Sequence, residues 1–272
     1  MNNSRDRRGR RVFHGRIHLF ELEDQRWFPE AIRDAGTDFI RFVAEIGNPY
    51  KPIIPLLSRA LDETGSREIL DLCSGGGGPM AGLVSQLAES GWQGTVTLTD
   101  KFPNLAAFEY LRGCSDGAID FIEQPVDASA VEPHLTGFRT LFTSFHHFPP
   151  DTASRILQDA VDQRRPIGVF EQTARSILPA LTTLIGPLFV LLVTPFIRPF
   201  RWSRFVWTYL IPVVPFYVMW DGFVSCLRTY SPDELQALVD GLDCEDYVWE
   251  IGQEAARPAP ITYLLGVPVQ RK

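Results

Sequence analysis

The feature that most constrains the fold is a glycine run directly after a short apolar strand: Glu68-Ile69-Leu70-Asp71-Leu72-Cys73-Ser74-Gly75-Gly76-Gly77-Gly78-Pro79. Glycine tolerates backbone conformations that other residues avoid, so the run predicts a tight turn from the strand into a helix. Such a turn leaves main-chain N–H groups unshielded at the carboxyl end of a parallel strand, where open α/β sheets bind polar ligands. The stretch therefore predicts an α/β fold with a ligand site at the strand tips.

A second acid, Asp100, ends the next predicted strand, Val96-Thr97-Leu98-Thr99. At this distance past the glycines, a carboxylate commonly binds the two hydroxyls of an adenosine ribose. The dinucleotide fingerprint G-x-G-x-x-G needs a third glycine where this chain has Met80. Asp71, just before the loop, suits a ligand that carries an ammonium group. The pattern favours a nucleoside cofactor with an amino-acid part.

The order of strand, acid, glycine loop and strand-end acid resembles motif I and its successor in class I S-adenosylmethionine methyltransferases of the small-molecule type. Cys73 stands where that family usually has the first glycine of the loop. The resemblance covers roughly Arg67 to Gln172 and the C-terminal strands. It implies an α/β, doubly wound, Rossmann-like sheet of seven mostly parallel strands, with N-terminal helices and a hydrophobic helical insertion. It also implies S-adenosyl-L-methionine as the cofactor.

The resemblance assigns cofactor contacts to the ends of four strands. It implies contacts to the methionine end from the loop, to the ribose from the second strand, to the adenine from the third and to the methyl donor from the fourth. In that order, the implied residues are Asp71, Cys73, Ser74, Gly75, Gly76 and Gly77; Asp100 and Lys101; Asp127 and Ala128; Ser144 and Phe145.

Two adjacent histidines, His146 and His147, follow the predicted fourth strand and are the candidate catalytic residues. An oxygen nucleophile needs a base, and imidazole titrates in the useful range. Adjacent residues in extended chain point in opposite directions, so we expect only one of them to face the site. A structural role for the pair remains open. No carboxylate cluster accompanies them in sequence, so we predict no metal site.

An apolar insertion follows the fifth predicted strand. No charge occurs from Ser176 to Ile197, three arginines follow, and a second apolar block runs from Phe205 to Trp220. The length of the first block fits a membrane span, but three prolines and a glycine interrupt it, and the second block is shorter and interrupted by two prolines. Three interpretations stay open: a substrate lid, an interfacial membrane hairpin, and a true span. The predicted substrate-binding residues are Phe189, Trp207, Phe216 and Asp221 in the insertion, Tyr230 after it, and Trp27 in the N-terminal segment.

The chain divides into five predicted segments. They are a disordered basic arm (1–18), an N-terminal helical lid (19–66), a cofactor-binding core (67–175), the hydrophobic insertion (176–222), and a C-terminal helix with the closing strands (223–272). In the second segment, the aromatic and acidic string Phe20–Phe28 fits either a substrate role or an edge packed against the lid. In the last, Ser231-Pro232-Asp233-Glu234 predicts a helix start with a capping box.

The composition indicates which class of substrate and which compartment to expect. A net charge of −7 and a pI near 5.3 argue against a nucleic-acid substrate. Four scattered cysteines without a C-x-x-C pair, and an N-terminus without an apolar signal-peptide core, favour the cytoplasm, with contact at the inner face of a membrane left open. The oligomeric state is also left open.

The predicted function is methyl transfer to a hydrophobic small molecule such as a quinone, polyketide, isoprenoid or lipid. Two alternatives remain. One is an NAD(P)-dependent oxidoreductase on the same sheet, although none of Lys51, Lys101 and Lys272 has a tyrosine four residues before it. The other is a protein that binds S-adenosylmethionine without catalysis.

Overall fold

The computed structural model describes residues 15–257 and 259–269. Its core is one seven-stranded sheet in the order β3-β2-β1-β4-β5-β7-β6. All neighbouring pairs from β3 to β5 are parallel, and β7 runs antiparallel to β5 and β6. The predicted fold is confirmed. The strands are β1 Glu68–Asp71, β2 Thr95–Leu98, β3 Ile119–Phe121, β4 Phe138–Phe142, β5 Ile167–Glu171, β6 Tyr247–Glu254 and β7 Ile261–Pro268.

Helices cover both faces of the sheet. One apolar core lies under α2, α3 and α4, and the other lies under α5 and α9. The helix α9 begins with the predicted capping box, in which the Ser231 hydroxyl accepts the Glu234 N–H and the Glu234 carboxylate accepts the Ser231 N–H. The helices are α1 Glu30–Gly47, α2 Ile54–Thr64, α3 Met80–Glu89, α4 Leu105–Gly113, α5 Pro150–Asp162, α6 Ile177–Val193, α7 Trp202–Phe205, α8 Val213–Arg228 and α9 Pro232–Val239.

The strand order creates a switch point between β1 and β4. From β1 the chain continues outward to β2 and β3, and it then returns to β4 on the other side of β1. Asp71 at the end of β1 pairs with Leu98 of β2 and with Thr140 of β4. The loops that follow these three strands therefore converge at one edge of the sheet, which is where such sheets bind ligands.

The segment 15–28, here called the N-terminal strap, lies across this edge. The Ile17 N–H donates to the Leu227 carbonyl, and the Arg16 guanidinium donates to the carbonyls of Arg228, His146 and Phe148. The predicted boundary of the disordered arm at residue 18 is therefore wrong. The rest of that predicted arm, residues 1–14, lies outside the described residues.

Helix α1 packs directly on the glycine loop, and Asn48 in the left-handed region ends it, with its N–H bonded to the Ala44 carbonyl. A Cβ on Gly76 would lie 2.5 Å from the Thr37 carbonyl oxygen of α1. Helix α2 instead belongs to the core layer beside α3. The predicted lid over residues 19–66 is thus reduced to the strap and α1.

The apolar insertion folds as α6, α7 and α8, and packs on the far side of α1. A third apolar cluster joins it to α1 and the strap through Phe28, Phe39, Val190 and Tyr217, among others. Helix α8 continues without interruption to Arg228. The predicted end of the insertion at residue 222 therefore falls in the middle of a helix.

Candidate functional site

A cavity of about 570 Å³ opens where the loops after β1, β2 and β4 meet. Its volume is typical of sites for small molecules. The loops supply Cys73, Ser74, Gly75, Gly76, Gly78, Asp100, Lys101, Phe102, Phe142, Thr143, Ser144, His147 and Phe148; the strap, α1 and α8 supply His18, Leu19, Phe20, Glu23, Asp24, Gln25, Arg26, Arg33, Thr37, Ile40 and Arg228.

The glycine loop forms the floor of the cavity through a turn in the left-handed region. Cys73, Gly75 and Gly77 have φ of 60°, 56° and 99°. The Ser74 N–H donates to the Thr99 carbonyl at 2.9 Å, which ties the loop to the chain after β2. Cys73 is strained in this conformation, which costs a residue with a Cβ about 1–3 kcal/mol. This left-handed conformation explains why class I methyltransferases usually have glycine where this chain has Cys73.

Asp71 holds this loop and does not line the cavity. Its Oδ2 accepts from the Ser74 hydroxyl at 2.6 Å and its Oδ1 accepts from the Thr140 hydroxyl at 2.7 Å. Burial raises the pKa of Asp71 to about 7, although both hydrogen bonds lower it. The predicted contact between Asp71 and a cofactor ammonium is therefore replaced by a supporting role.

Asp100 joins the glycine loop to the chain after β2. One carboxylate oxygen accepts the Gly75 N–H and the other accepts the Phe102 N–H, each at 2.7 Å. Burial raises the pKa of Asp100, and the two backbone N–H groups oppose that effect. A carboxylate has about four lone-pair sites, so two remain for hydroxyl donors in the cavity.

The predicted adenine-binding residues lie beside the cavity but do not line it. Asp127 pairs with Lys101 at 3.3 Å, and its Oδ1 accepts from the Ser129 N–H and hydroxyl. Lys101 lines the cavity, so it connects Asp127 to the wall. Ala128 is buried in the core below α5. Gly77 and Phe145, two further predicted contacts, are also absent from the wall.

The loop after β4 brings an unpartnered hydroxyl to the cavity. Ser144 Oγ is buried and has no hydrogen-bond partner among the described residues. Its neighbour Thr143 has φ of 43°, and its hydroxyl is engaged by Tyr50 and by the Gln172 N–H. A buried polar atom without a partner is costly unless a ligand or water satisfies it. Ser144 therefore indicates a polar ligand contact.

His147 lines the cavity and is surrounded by carboxylates of the strap. Its Nδ1 lies 2.9 Å from Asp24 Oδ1 and 2.7 Å from Glu21 Oε2, and its Nε2 lies 3.3 Å from Glu23 Oε1. Burial lowers the pKa of His147, but Glu21 and Asp24 raise it more, so that it lies well above its ordinary value. The raised pKa of His147 favours its protonated form, which makes this ring a poor proton acceptor.

His146 has the geometry of a base. Its Nδ1 lies 2.7 Å from Glu171 Oε2. Burial raises the pKa of Glu171, but His146 and the Phe145 N–H lower it to a net value below the ordinary one. In the tautomer with the proton on Nδ1, that N–H donates to the Glu171 carboxylate and the lone pair lies on Nε2. Nε2 is buried without a hydrogen-bond partner, and Glu21 Oε1 lies 4.0 Å away.

Only one of the two histidines lines the cavity, as predicted, but the reason given was wrong. They lie in a 3-10 turn, Phe145–His147, and not in extended chain. Their rings are 4.4 Å apart and tilted by 31°. His146 is therefore covered by His147 and by Glu21 of the strap.

His18 also lines the cavity, and no motif in the sequence marks it as a site residue. Burial lowers its pKa to about 4, assisted by the positive charges of Arg228 and Arg16. It is neutral at pH 7. The sequence predicts a disordered arm over residues 1–18, which includes His18.

The expectation that no carboxylate cluster accompanies the histidines is also wrong. Among the described residues, Glu21, His146 and His147 place ligand-type atoms within 4.8 Å of one another. Arg228 Nη1 lies 3.2 Å from Glu21 and 2.7 Å from Asp24, so that it forms an ion pair with both carboxylates. We interpret the cluster as an ion-pair network that fixes the strap, and metal independence stays a prediction.

None of the six predicted substrate residues lines the cavity, so that prediction is wrong for this cavity. The reason is that the insertion packs on α1, while the strap lies over the cavity. Trp27, Phe189 and Phe216 are exposed, and Trp207 packs at the edge of the third cluster. Asp221 accepts the N–H groups of Leu22 and Glu23, and the Tyr230 hydroxyl donates to the Phe148 carbonyl.

Comparisons with known proteins support the fold and little beyond it. No protein-family model and no curated protein matches this chain. A solved structure described as PigF with S-adenosylhomocysteine is 18% identical, with a TM-score of 0.50 over 90% of this chain and 62% of that one. A protein described as a zinc-dependent alcohol dehydrogenase from Rhodobacter sphaeroides is 12% identical, with a TM-score of 0.52 over 88% and 98%.

Other similar structures are methyltransferases by description. One is an O-methyltransferase family protein from Burkholderia thailandensis, 14% identical, with a TM-score of 0.47 over 85% of this chain and 59% of that one. The chain spans 54 to 59% of the length of this protein, of mitomycin 7-O-methyltransferase MmcR and of human N-acetylserotonin methyltransferase. The likeness to the PigF structure, with its TM-score of 0.50, agrees with the strand order, the antiparallel β7 and the glycine loop after β1: the chain has the class I methyltransferase fold.

Proposed function

We propose that this protein transfers a methyl group from S-adenosylmethionine to a hydroxyl of a hydrophobic small molecule. The observation that carries the proposal is the glycine loop. It presents main chain to a single cavity at the switch point of the sheet, with Asp100 on one side and the unpartnered Ser144 hydroxyl on the other. Glycine loops that lead into the N-terminus of a helix, together with an acid at the end of the next strand, commonly bind nucleoside cofactors.

The described residues fit such a cofactor. Gly75, Gly76 and Gly78 allow a carboxylate to approach the main chain, and the two free lone pairs of Asp100 suit a pair of ribose hydroxyls. Lys101 and Phe102 extend the same wall. When bound, the cofactor supplies an electrophilic methyl group on a sulfonium. The protein's part is to orient the acceptor and to exclude water.

The acceptor's proton has a defined destination in this proposal. With its proton on Nδ1, His146 donates to the Glu171 carboxylate, so that Nε2 is the nitrogen that can accept the hydroxyl proton. His146 thus serves as the base for a hydroxyl, and Glu171 positions it. This role requires the acceptor to displace the Glu21 carboxylate, whose Oε1 lies 4.0 Å from Nε2.

The rest of the cavity supports an apolar acceptor. Phe20, Leu19 and Ile40 lie on the strap and α1 side, and Phe142 and Phe148 lie on the β4 side. An aromatic alcohol or quinol is uncharged and largely apolar, so it gains from burial against these side chains. The charged groups of the cavity belong to the cofactor end and to the ion pairs of the strap.

The proposal is tested by methyl transfer itself. The wild-type protein is incubated with methyl-labelled S-adenosylmethionine and a panel of phenols, hydroquinones and isoprenoid alcohols, and S-adenosylhomocysteine release is measured. We expect release with at least one hydroxyl acceptor and none with its methyl ether. Tight cofactor binding without transfer to any acceptor would favour the non-catalytic alternative, and binding of NADH in its place would favour the oxidoreductase.

A further inference from the structure

The insertion exposes a large apolar surface on one side of the molecule. Helix α6 with the turn after it, Ile177–Phe196, has 20 residues and a mean hydropathy of 2.2, and only 22% of its most apolar window is buried. Monomeric soluble proteins seldom expose contiguous apolar patches of this kind. The surface, here called the apolar face, consists of Ile177, Leu181, Leu184, Leu188 and Leu192 of α6, with Phe196, Leu210, Phe216, Trp220 and Phe223.

The face belongs to a helix that is fixed to the domain at both ends. Ser176 lies a few residues after β5, and Thr194 and Ile197 are buried beneath the turn that follows α6. The other side of α6 packs on α8 and α1, where Phe39 and Phe189 make an edge contact at 6.1 Å. The helix therefore lies along the protein surface, and its exposed side has no partner within the described chain.

Amphipathic aromatic residues border the apolar face. Phe200, Trp202 and Phe205 form a ring cluster with centroids 5.1 to 6.1 Å apart, and Tyr209 joins it at 5.6 Å from Phe205. Trp202 is among the most exposed of these side chains. Tryptophan and tyrosine are enriched at the level of lipid headgroups, because one part of the ring is apolar and another part is polar.

Positive charge is also placed at the border. Arg198 is exposed beside the ring cluster, and no ion pair is recorded for it among the described residues. Arg201 and Arg204 contribute less than the sequence suggested, since they pair with Asp34 and Asp38 inside the protein. Residues 1–14, which lie outside the described residues, contain five further arginines in sequence. Basic residues at the border of an apolar face complement anionic headgroups.

From these observations we infer that the apolar face rests on an anionic lipid bilayer, with α6 in the plane of the interface. Apolar area inserts into the boundary of the acyl chains, and the arginines bind the headgroups. A second copy of the chain is the alternative occupant of this face, and the experiment below distinguishes it from a bilayer.

The inferred orientation also gives the cavity a route from the membrane, and this part rests on the proposed function. Phe20 of the strap lines the cavity and is exposed, and its ring lies 5.5 Å from that of Trp220 on the apolar face. The Trp220 indole N–H donates to the Phe20 carbonyl at 3.1 Å. The acceptor class that fits is therefore a lipid-soluble alcohol that leaves the bilayer past the strap.

Vesicle sedimentation tests the inference with the full-length protein. The probes are vesicles of phosphatidylcholine alone and of phosphatidylcholine with phosphatidylglycerol, at low and high salt. We expect wild-type protein to bind the anionic vesicles, and high salt to release it only in part because salt does not screen buried apolar area. The variant Leu184→Gln/Leu188→Gln/Leu192→Gln should bind on the order of 10²-fold more weakly.

A matched control separates the apolar face from apolar exposure in general. Leu105→Gln/Ile46→Gln/Val248→Gln changes three exposed apolar residues elsewhere and should bind vesicles like the wild type. S-adenosylmethionine titration and thermal unfolding of each variant check that the domain is intact. Equal vesicle binding by both triple variants overturns the inference. So does a stable dimer without vesicle affinity. Vesicle binding without cofactor binding would instead refute the proposed function alone.

Discussion

The edge of the sheet that bears the cavity presents main-chain groups, whereas the apolar face presents side chains. At the edge, Gly75, Gly76 and Gly78 remove side chains so that main-chain groups meet the cavity. On the face, the main chain of α6 is satisfied within the helix, and large side chains meet the exterior. A small polar ligand needs few donors and acceptors in fixed positions, whereas a lipid surface needs area. The two regions therefore demand different experiments.

The largest expected effect concerns catalysis at the edge. His146→Ala should reduce turnover by roughly 10²–10⁴-fold with little change in cofactor affinity, because a general base acts on the acceptor's proton only. Steady-state rates and calorimetric titration of S-adenosylmethionine measure the two quantities. His134→Ala, at an exposed histidine, is the control. A small loss would mean that His146 is structural and that the edge binds without this base.

The next effect concerns how closely α1 covers the glycine loop. Gly76→Ala should lower the free energy of unfolding by about 1–3 kcal/mol, because the new Cβ meets main chain of α1 that cannot move aside easily. Gly82→Ala in α3 is the matched control. Its Cβ has an ordinary contact at 3.7 Å from Gln86, so the helix should become more stable by roughly 0.5–1 kcal/mol. Chemical denaturation measures both, and equal changes would contradict the close packing.

A pH effect tests the ion pairs between His147 and the strap. The pKa of His147 is raised above its ordinary 6.5, so its contribution to stability is complete below pH 6.5 and is lost as pH rises through the raised value. Burial raises the pKa of Glu23 to about 8, which also favours the folded state at lower pH. Melting temperature should therefore fall as pH increases above 6.5.

His147→Gln should flatten this dependence, while His134→Gln should leave it unchanged. Thermal unfolding monitored by circular dichroism at several pH values gives the comparison. An unchanged slope in His147→Gln would assign the dependence to Glu23 and contradict a contribution from the His147 ion pairs.

The last prediction is that metal removal has no effect. Removal of divalent metal with a chelator should leave turnover and melting temperature unchanged, because Arg228 and His147 already pair with Glu21 and Asp24. Addition of zinc or manganese to the chelated protein is the converse measurement. A rise in melting temperature that Glu21→Gln abolishes would show that the cluster of Glu21, His146 and His147 is a metal site.

The parts that the sequence predicted are those governed by local pattern. A strand followed by glycines, and Asp100 at the end of the next strand, specify the loop because turn geometry and parallel pairing depend on neighbours in the chain. The fold and the loop's place on the cavity wall followed from this. The capping box of α9 is another local feature and was found.

The parts that it missed depend on packing between distant residues. Nothing near His18 or Glu21 indicates that the strap lies across the strand tips, since its partners Leu227 and Arg228 are some 200 residues away in the chain. For the same reason Asp71 was assigned to a ligand, although the hydroxyls of Ser74 and Thr140 occupy it. The apolar composition of the insertion does not indicate which side of the domain it packs on. The prediction that Phe189 and Phe216 line the cavity is wrong for this reason.

The most direct test of the central claim is calorimetric titration of the wild-type protein with S-adenosylmethionine, S-adenosylhomocysteine and NADH. We expect both sulfur compounds to bind at one site and NADH not to bind. Asp100→Ala should weaken S-adenosylmethionine by about 1.5–3 kcal/mol, roughly 10- to 150-fold, because it removes a charged hydrogen-bond acceptor. Asp120→Ala, at an exposed acid on β3, should match the wild type. Binding of NADH alone, or unchanged affinity in Asp100→Ala, would contradict the account.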